Sequence, residues 1–307
     1  MRNIFIKILT EKADRDTYLV IGDLGFGIVE PFVKKNPDRF LNAGVAEQNM
    51  TGMAAGLALS GFKVFTYSIG NFNTTRCLEQ IRNDICYHDL DVTIVSVGPG
   101  FMYGSQGYSH HAGQDIALMG SLPNVKLLLP GDSREVEFVM DYIFREQGPK
   151  YLRLGRNCEK VFHQESQEVS KINRFGLLAD KVGEVALVAA STTLENAFSV
   201  AGLLQEKGIA AEVFSCPIID DDFSDNVRRA LDGFKNVFVI EEHISSLGLA
   251  AFVRNAFDGR EKMIKVFGLK RDSCKVVGNR DYLCEHHEIS PSLVAASISK
   301  MLNKSRI

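Results

Sequence analysis

Glu47 is the residue most able to do chemistry in the stretch Asn42-Ala43-Gly44-Val45-Ala46-Glu47-Gln48-Asn49-Met50. The residues that follow, Thr51-Gly52-Met53-Ala54-Ala55-Gly56-Leu57-Ala58-Leu59, are mostly small or apolar. That composition predicts a helix opening at Glu47, whose small side chains let another backbone come close and leave a packed, dry surrounding. Desolvation there disfavours a carboxylate's charged form unless a cation or hydrogen bond compensates. Such a group can hold or share a proton near neutral pH, as acid–base chemistry requires. The plainer alternative is a first-turn glutamate that merely suits the helix dipole.

Three further segments carry chemistry-bearing side chains. Phe72 and Arg76 lie in Tyr67-Ser68-Ile69-Gly70-Asn71-Phe72-Asn73-Thr74-Thr75-Arg76, just beyond a strand, where an aromatic can stack on a planar heterocycle. By position alone, one phenylalanine among 20 is more readily core. Gly104-Ser105-Gln106-Gly107-Tyr108-Ser109-His110-His111 is a glycine-rich loop without the Gly-Lys-Ser/Thr of a phosphate-binding loop. Adjacent side chains in an extended segment point apart, so at most one of His110 and His111 faces a given ligand. Tyr151-Leu152-Arg153-Leu154-Gly155-Arg156 closes the first half with an arginine fork suited to phosphate, or to a linker-anchoring salt bridge. Asp23 stands in the first strand-to-helix turn.

These residues need a scaffold. Short β-rich runs (18–21, 63–67, 92–97, 125–129) alternate with helical patterns: 1–9, the Glu47 segment, 74–87, and 134–144 capped at Asp132/Ser133. Such alternation predicts a parallel sheet with helices on both faces and ligands at the carboxyl ends of its strands. Residues 163–173 read as a polar linker. A second α/β unit follows, with strands at 185–190, 211–214, 237–240 and 265–267, and helices at 194–205 and 291–302. The expected fold is thus two doubly wound α/β domains, 1–160 and 174–307, the second smaller.

With 45% hydrophobic and 24% charged residues and a net charge of −3, the 307-residue chain reads as a soluble protein without a nucleic-acid or membrane surface. No secretory signal or apolar span is expected. Six cysteines without a Cys-x-x-Cys pair predict reduced, buried thiols and a cytoplasmic location. Cys274, Cys284, His286 and His287 lack zinc-site spacing and read as structural.

The Gly44-Val45-Ala46-Glu47-Gln48 run resembles the Gly-(Ile/Val)-Ala-Glu-Gln motif of the pyrimidine-binding domain of the transketolase family. The resemblance covers nearly the whole chain but only the C-terminal half of a full-length transketolase. It implies that Glu47 hydrogen-bonds the aminopyrimidine of thiamine diphosphate, favours its imino tautomer and so assists formation of the cofactor's carbanion. It implies that Phe72 is the stacking aromatic, with Tyr67, Arg76 and Asp23 as weaker cofactor contacts. Ser109-His110 matches the family's Thr-His substrate loop, which makes His110 a donor to substrate oxygens. The family's aspartate falls at Gln106, a departure that bears on substrate stereospecificity. Arg156 matches the arginine that binds the sugar phosphate. Glu241-Glu242-His243 with Gly248-Leu249-Ala250 resembles the C-terminal domain, a site of packing and dimerisation.

No Gly-Asp-Gly segment is present. The resemblance therefore implies that Mg2+ or Ca2+ and the diphosphate are held by a partner N-terminal subunit, in an α2β2 heterotetramer. The expected activity is transfer of a two-carbon ketol unit from a ketose, or its phosphate, to an aldose. Rival expectations are a 1-deoxyxylulose-5-phosphate synthase-like or 2-oxo acid dehydrogenase beta-like thiamine enzyme subunit, and a non-catalytic α/β scaffold subunit.

Overall fold

The computed structural model describes residues 1–155, 160–176, 184–271 and 275–304. Two sheets carry the chain. The first has seven strands in the order β10-β5-β6-β4-β3-β1-β2. These are β1 (Thr17–Ile21), β2 (Phe40–Asn42), β3 (Lys63–Ile69), β4 (Val92–Val97), β5 (Lys126–Leu128), β6 (Lys150–Leu154) and the two-residue β10 (Ile218–Ile219). All pairings are parallel except β10 with β5. The second sheet is ordered β12-β11-β8-β9-β7. Its strands are β7 (Asn173–Gly176), β8 (Val185–Ala189), β9 (Ala211–Ser215), β11 (Asn236–Ile244) and β12 (Met263–Leu269), and β7 alone runs antiparallel.

Strand alternation sorts the first sheet's side chains onto two faces. On β3, Phe65 and Tyr67 join a core beneath the Arg2–Lys12 and Ser133–Arg145 helices, while Val64 joins the opposite core with Met50, Ala54 and Ala55 of the Glu47–Leu59 helix. Each fully buried Leu, Ile, Val or Phe contributes about 1.5–3 kcal/mol relative to exposure. The second core continues without a break into the second sheet, through Ile94, Leu127, Val188, Phe214 and Val239. A third cluster packs β8 and β9 against the helices Thr193–Gln205 and Pro291–Lys304.

The strands and helices expected from periodicity are present, with one difference that matters. The helix expected over 74–87 is broken into the short turns Thr75–Cys77 and Leu78–Gln80 and a π-helical stretch over Ile81–Cys86, and a further short turn, Gly70–Asn73, precedes them. Between Gly70–Asn73 and Thr75–Cys77 the Thr74 backbone leaves the helical region (φ −123°, ψ −77°), and its Oγ1 donates to the Gly70 carbonyl at 2.6 Å. The short strands β2 and β10 are too brief for periodicity to show. Through β10 the second half of the chain adds an edge to the first sheet, so the two sheets are interlocked by hydrogen bonds as well as by their shared core.

Candidate active site at the carboxyl ends of β1 to β4

Four adjacent parallel strands deliver the site. Gly22 and Asp23 follow β1, Glu47 follows β2, Phe72 and Arg76 follow β3, and His110 lies on the excursion after β4. This is the strand end at which open α/β sheets gather ligands.

Glu47 is the first residue of its helix and only 1% exposed. Its Oε2 accepts from Arg76 Nη1 at 2.5 Å, and its Oε1 from Ser68 Oγ at 3.2 Å. The backbone of Gly22 presses close: a Cβ there would lie 3.2 Å from Glu47 Cγ. The carboxylate is thus desolvated yet satisfied by a cation and a hydroxyl, the compensation that burial of a charge demands. The rest of the helix is packed on one face only. Met50, Thr51, Ala54 and Ala55 are buried, whereas Gln48, Asn49, Gly52, Gly56 and Leu59 are exposed in the single chain.

The broken segment after β3 brings Phe72 and Arg76 to this carboxylate. Arg76 lies over the Phe72 ring, its guanidinium carbon 4.4 Å from the ring centroid. The other neighbour of Phe72 is His110, whose imidazole meets it edge-on with centroids 5.0 Å apart. His110 Nδ1 is 3.0 Å from Ser109 Oγ. Burial, and then the neighbouring His111, hold the His110 imidazole below its usual range. His111 turns the other way. Its Nε2 is 2.9 Å from the Gly104 carbonyl and its ring packs edge-on against Phe101.

The remaining expected residues divide. Asp23 is exposed at the end of β1, its backbone in the left-handed region (φ 55°), and its Oδ1 accepts from Asn42 Nδ2 at 2.9 Å. Gln106 is exposed on the His110 loop. Tyr67 is not brought to Glu47. Period-2 alternation turns it to the opposite face of the sheet, where it is 1% exposed and stacks on Phe5 with ring centroids 6.1 Å apart. Burial pushes its phenol up to about 12. Arg156 lies outside the described residues, as do Cys158 and Cys274. The other four cysteines, Cys77, Cys86, Cys216 and Cys284, are free and buried.

Two residues escaped the sequence reading. Ser68 bonds Glu47 from the face of β3 opposite Tyr67; alternation sets the two side chains apart but is silent about which face meets Glu47. Asn71 donates to the carbonyls of Ser109 at 3.1 Å and His111 at 2.9 Å, bracketing His110. No spacing rule links positions this far apart. Among the described residues no group of three His, Cys, Asp or Glu side chains is placed to hold a metal ion. No helix there is long and apolar enough to cross a membrane.

Both halves of the chain match a known family. Residues 5–158 match the family described as transketolase, pyrimidine binding domain, and residues 178–277 match transketolase, C-terminal domain. An apulose-4-phosphate transketolase subunit of Actinobacillus succinogenes is 31% identical over 275 residues, 88% of each chain. The corresponding subunit of Phocaeicola vulgatus is 28% identical over 306 residues, 99% of this chain and 97% of the relative. Among solved structures, a split gene transketolase described as an inactive beta4 tetramer superposes with a TM-score of 0.84 at 28% identity, covering 98% of each chain. The chain belongs to the transketolase family, carrying its pyrimidine-binding and C-terminal domains, and these relatives of similar length are named as transketolase subunits.

Proposed function

We propose that this chain, its halves meeting between residues 160 and 174, holds the pyrimidine end of thiamine diphosphate and one wall of the sugar site. The observation that carries the reading is Glu47: a buried carboxylate at the ends of β1 and β3, next to an aromatic ring and a guanidinium. That donor set fits an aminopyrimidine, which presents a planar face for Phe72 and ring nitrogens for a carboxylate. When bound, thiamine diphosphate supplies the nucleophilic carbon for ketol transfer. Glu47 orients the ring and shares a proton through its carboxylate, Phe72 stacks, and Arg76 and Asp23 border the cofactor. His110 serves as a catalytic residue that donates to substrate oxygens, with Gln106 beside it on the loop. Arg156 takes the phosphate of a ketose or aldose phosphate, because a guanidinium fork matches a phosphate dianion.

Tyr67 is left out of this site, since its place is the opposite core. The divalent metal, Mg2+ or Ca2+, and the diphosphate belong to the partner N-terminal subunit, which docks on the open face of the Glu47–Leu59 helix. Both relatives of similar length are named as one subunit of a transketolase, which supports the existence of that partner. Two copies of each chain in closed two-fold symmetry, α2β2, is the assembly expected of such a pair. A cytoplasmic role in carbohydrate metabolism goes with it.

The test is reconstitution. This chain and its partner, each inactive alone, are mixed with magnesium and thiamine diphosphate, and ketol transfer to an aldose phosphate is measured. Full activity from this chain alone, with contaminating partner excluded by mass spectrometry, overturns the split-site reading. Cofactor binding by the mixture without ketol transfer would favour one of the other thiamine enzymes, and neither binding nor transfer would favour the scaffold reading.

A further inference from the structure

His110 rides on an excursion that leaves β4 at Val97 and returns as the Asp115–Gly120 helix. Two backbone bonds close its neck, Gly100 N to Ala112 O at 3.0 Å and Ala112 N to Gly100 O at 2.9 Å. His110 stands two residues before that neck. Asn71 brackets His110 from the first half of the chain, and the neck is held from both halves. The pairing of β11 with β8 ends at Val239, so residues 241–244 outrun that neighbour and reach the first sheet's loops.

There Glu242, 1% exposed, accepts from the Phe101 backbone N–H at 3.0 Å through Oε2. Ile244 N donates to Gly113 O at 3.0 Å, and Ala117 N donates to His243 Nε2 at 3.3 Å. Gly100 makes the contact feasible: its φ is 55°, and a Cβ would fall 2.4 Å from Glu242 Oε2. Glu242 is itself fixed by Arg280, whose Nε donates to Oε1 at 2.7 Å while its Nη2 reaches the Thr192 carbonyl and Asn196 Oδ1 at 3.2 Å each. Burial opposes ionisation of Glu242, but the Arg280 charge and bonds, with the Phe101 N–H, hold its carboxyl below the usual range. From beneath, Arg153 Nη2 donates to the Ala112 carbonyl at 3.2 Å, and Arg153 Nε donates to buried Asp115 at 2.7 Å.

We propose that Glu242, braced by Arg280, is a positioning residue for His110, so that the C-terminal half of the chain helps set where the substrate donor stands. The proposal rests on reading His110 as a substrate contact. A loop neck bonded to a buried, ionised carboxylate cannot drift without leaving that charge unpaired, which is costly. Misplacement of a donor by about 1 Å can cost on the order of 100-fold in rate or binding. Glu242 touches neither Glu47 nor Phe72, so its loss should act on substrate and spare the cofactor.

The experiment uses the reconstituted two-chain enzyme with 3-hydroxypyruvate as the ketol donor, and the variants Glu242→Gln, Arg280→Gln and Arg280→Lys. Glu242→Gln and Arg280→Gln are expected to raise the donor KM about tenfold with kcat changed less than about threefold. The concentration of thiamine diphosphate giving half-saturation should stay at the wild-type value, and Arg280→Lys should recover most of the loss. In parallel, the imidazole NMR signals of this chain alone are followed, His110 being the signal missing from His110→Ala. Its position and titration midpoint should move in Glu242→Gln and Arg280→Gln.

Should Glu242→Gln not fold, Arg280→Gln carries the test, because that side chain is partly exposed. A His110 signal at its wild-type position in a variant that folds overturns the proposal, as does an equal loss for donor and cofactor. If instead the His110 signal moves but His110→Ala leaves the donor KM unchanged, the placement of His110 by Glu242 stands and the reading of His110 as a substrate contact fails.

Discussion

Arg76 Nη1 donates to Glu47 Oε2 at 2.5 Å, across 29 positions of sequence. The two side chains are unequal partners, since the Arg76 side chain is 42% exposed and that of Glu47 only 1%. Water reaches the cation but not the carboxylate.

Replacing Arg76 by Ala removes a partner from a buried acceptor, a loss of about 1–3 kcal/mol. The exposed guanidinium is screened, which argues for the low end of that range. Urea unfolding of this chain should show the decrease. Half-saturation by thiamine diphosphate in the two-chain enzyme should rise as well, because Arg76 also covers Phe72. Unchanged values of both would remove Arg76 from the site.

Glu47→Gln should leave the fold intact and cost on the order of 100-fold or more in ketol transfer. Glutamine fills the space beside Gly22 and Ser68 but cannot share a proton with a ring nitrogen. Circular dichroism checks the fold, and turnover at saturating cofactor checks the role. Near-wild-type turnover would sink the assignment.

Arg156→Ala should weaken a phosphorylated acceptor selectively. The expected divergence in kcat/KM between a phosphorylated and an unphosphorylated aldose is at least about tenfold, the scale of a lost charge-assisted fork. Equal losses on both would make Arg156 a linker anchor.

Glu241, next to the positioning residue, supplies a pH test. Burial pushes its carboxyl up to about 8, outweighing the Ala250 and Leu249 backbone N–H groups. A folded-state pKa raised above the unfolded value of about 4.3 means that the native state binds the extra proton between these limits. The contribution to stability is therefore fully present below about pH 4 and is lost as pH rises through about 8. Glu241→Gln should flatten this decline. Between pH 5 and pH 8.5, the fall in unfolding free energy should be smaller in the variant by about 2–4 kcal/mol. Parallel pH curves for the two proteins would show that Glu241 is not the group responsible.

Much of the molecule is determined by local sequence. The strands Thr17–Ile21, Lys63–Ile69 and Val92–Val97 and the helices Glu47–Leu59 and Ser133–Arg145 follow from periodicity and caps, including the Asp132 side chain accepting from Glu135 N. The prominence of Glu47 follows from one carboxylate set among small residues; His110 and His111 do part, but across the end of a 3-10 turn over Tyr108–His110 and not along the extended segment expected. Tertiary structure decided the rest. That Tyr67 faces Phe5 rather than Glu47 depends on which face of β3 meets which helix, and a period of two is silent about that choice. The partnerships of Glu47 with Arg76 and of Phe101 with Glu242 span 29 and 141 positions. No local pattern encodes such pairs, because they exist only once parallel strands set their carboxyl ends side by side and the second sheet closes over the first.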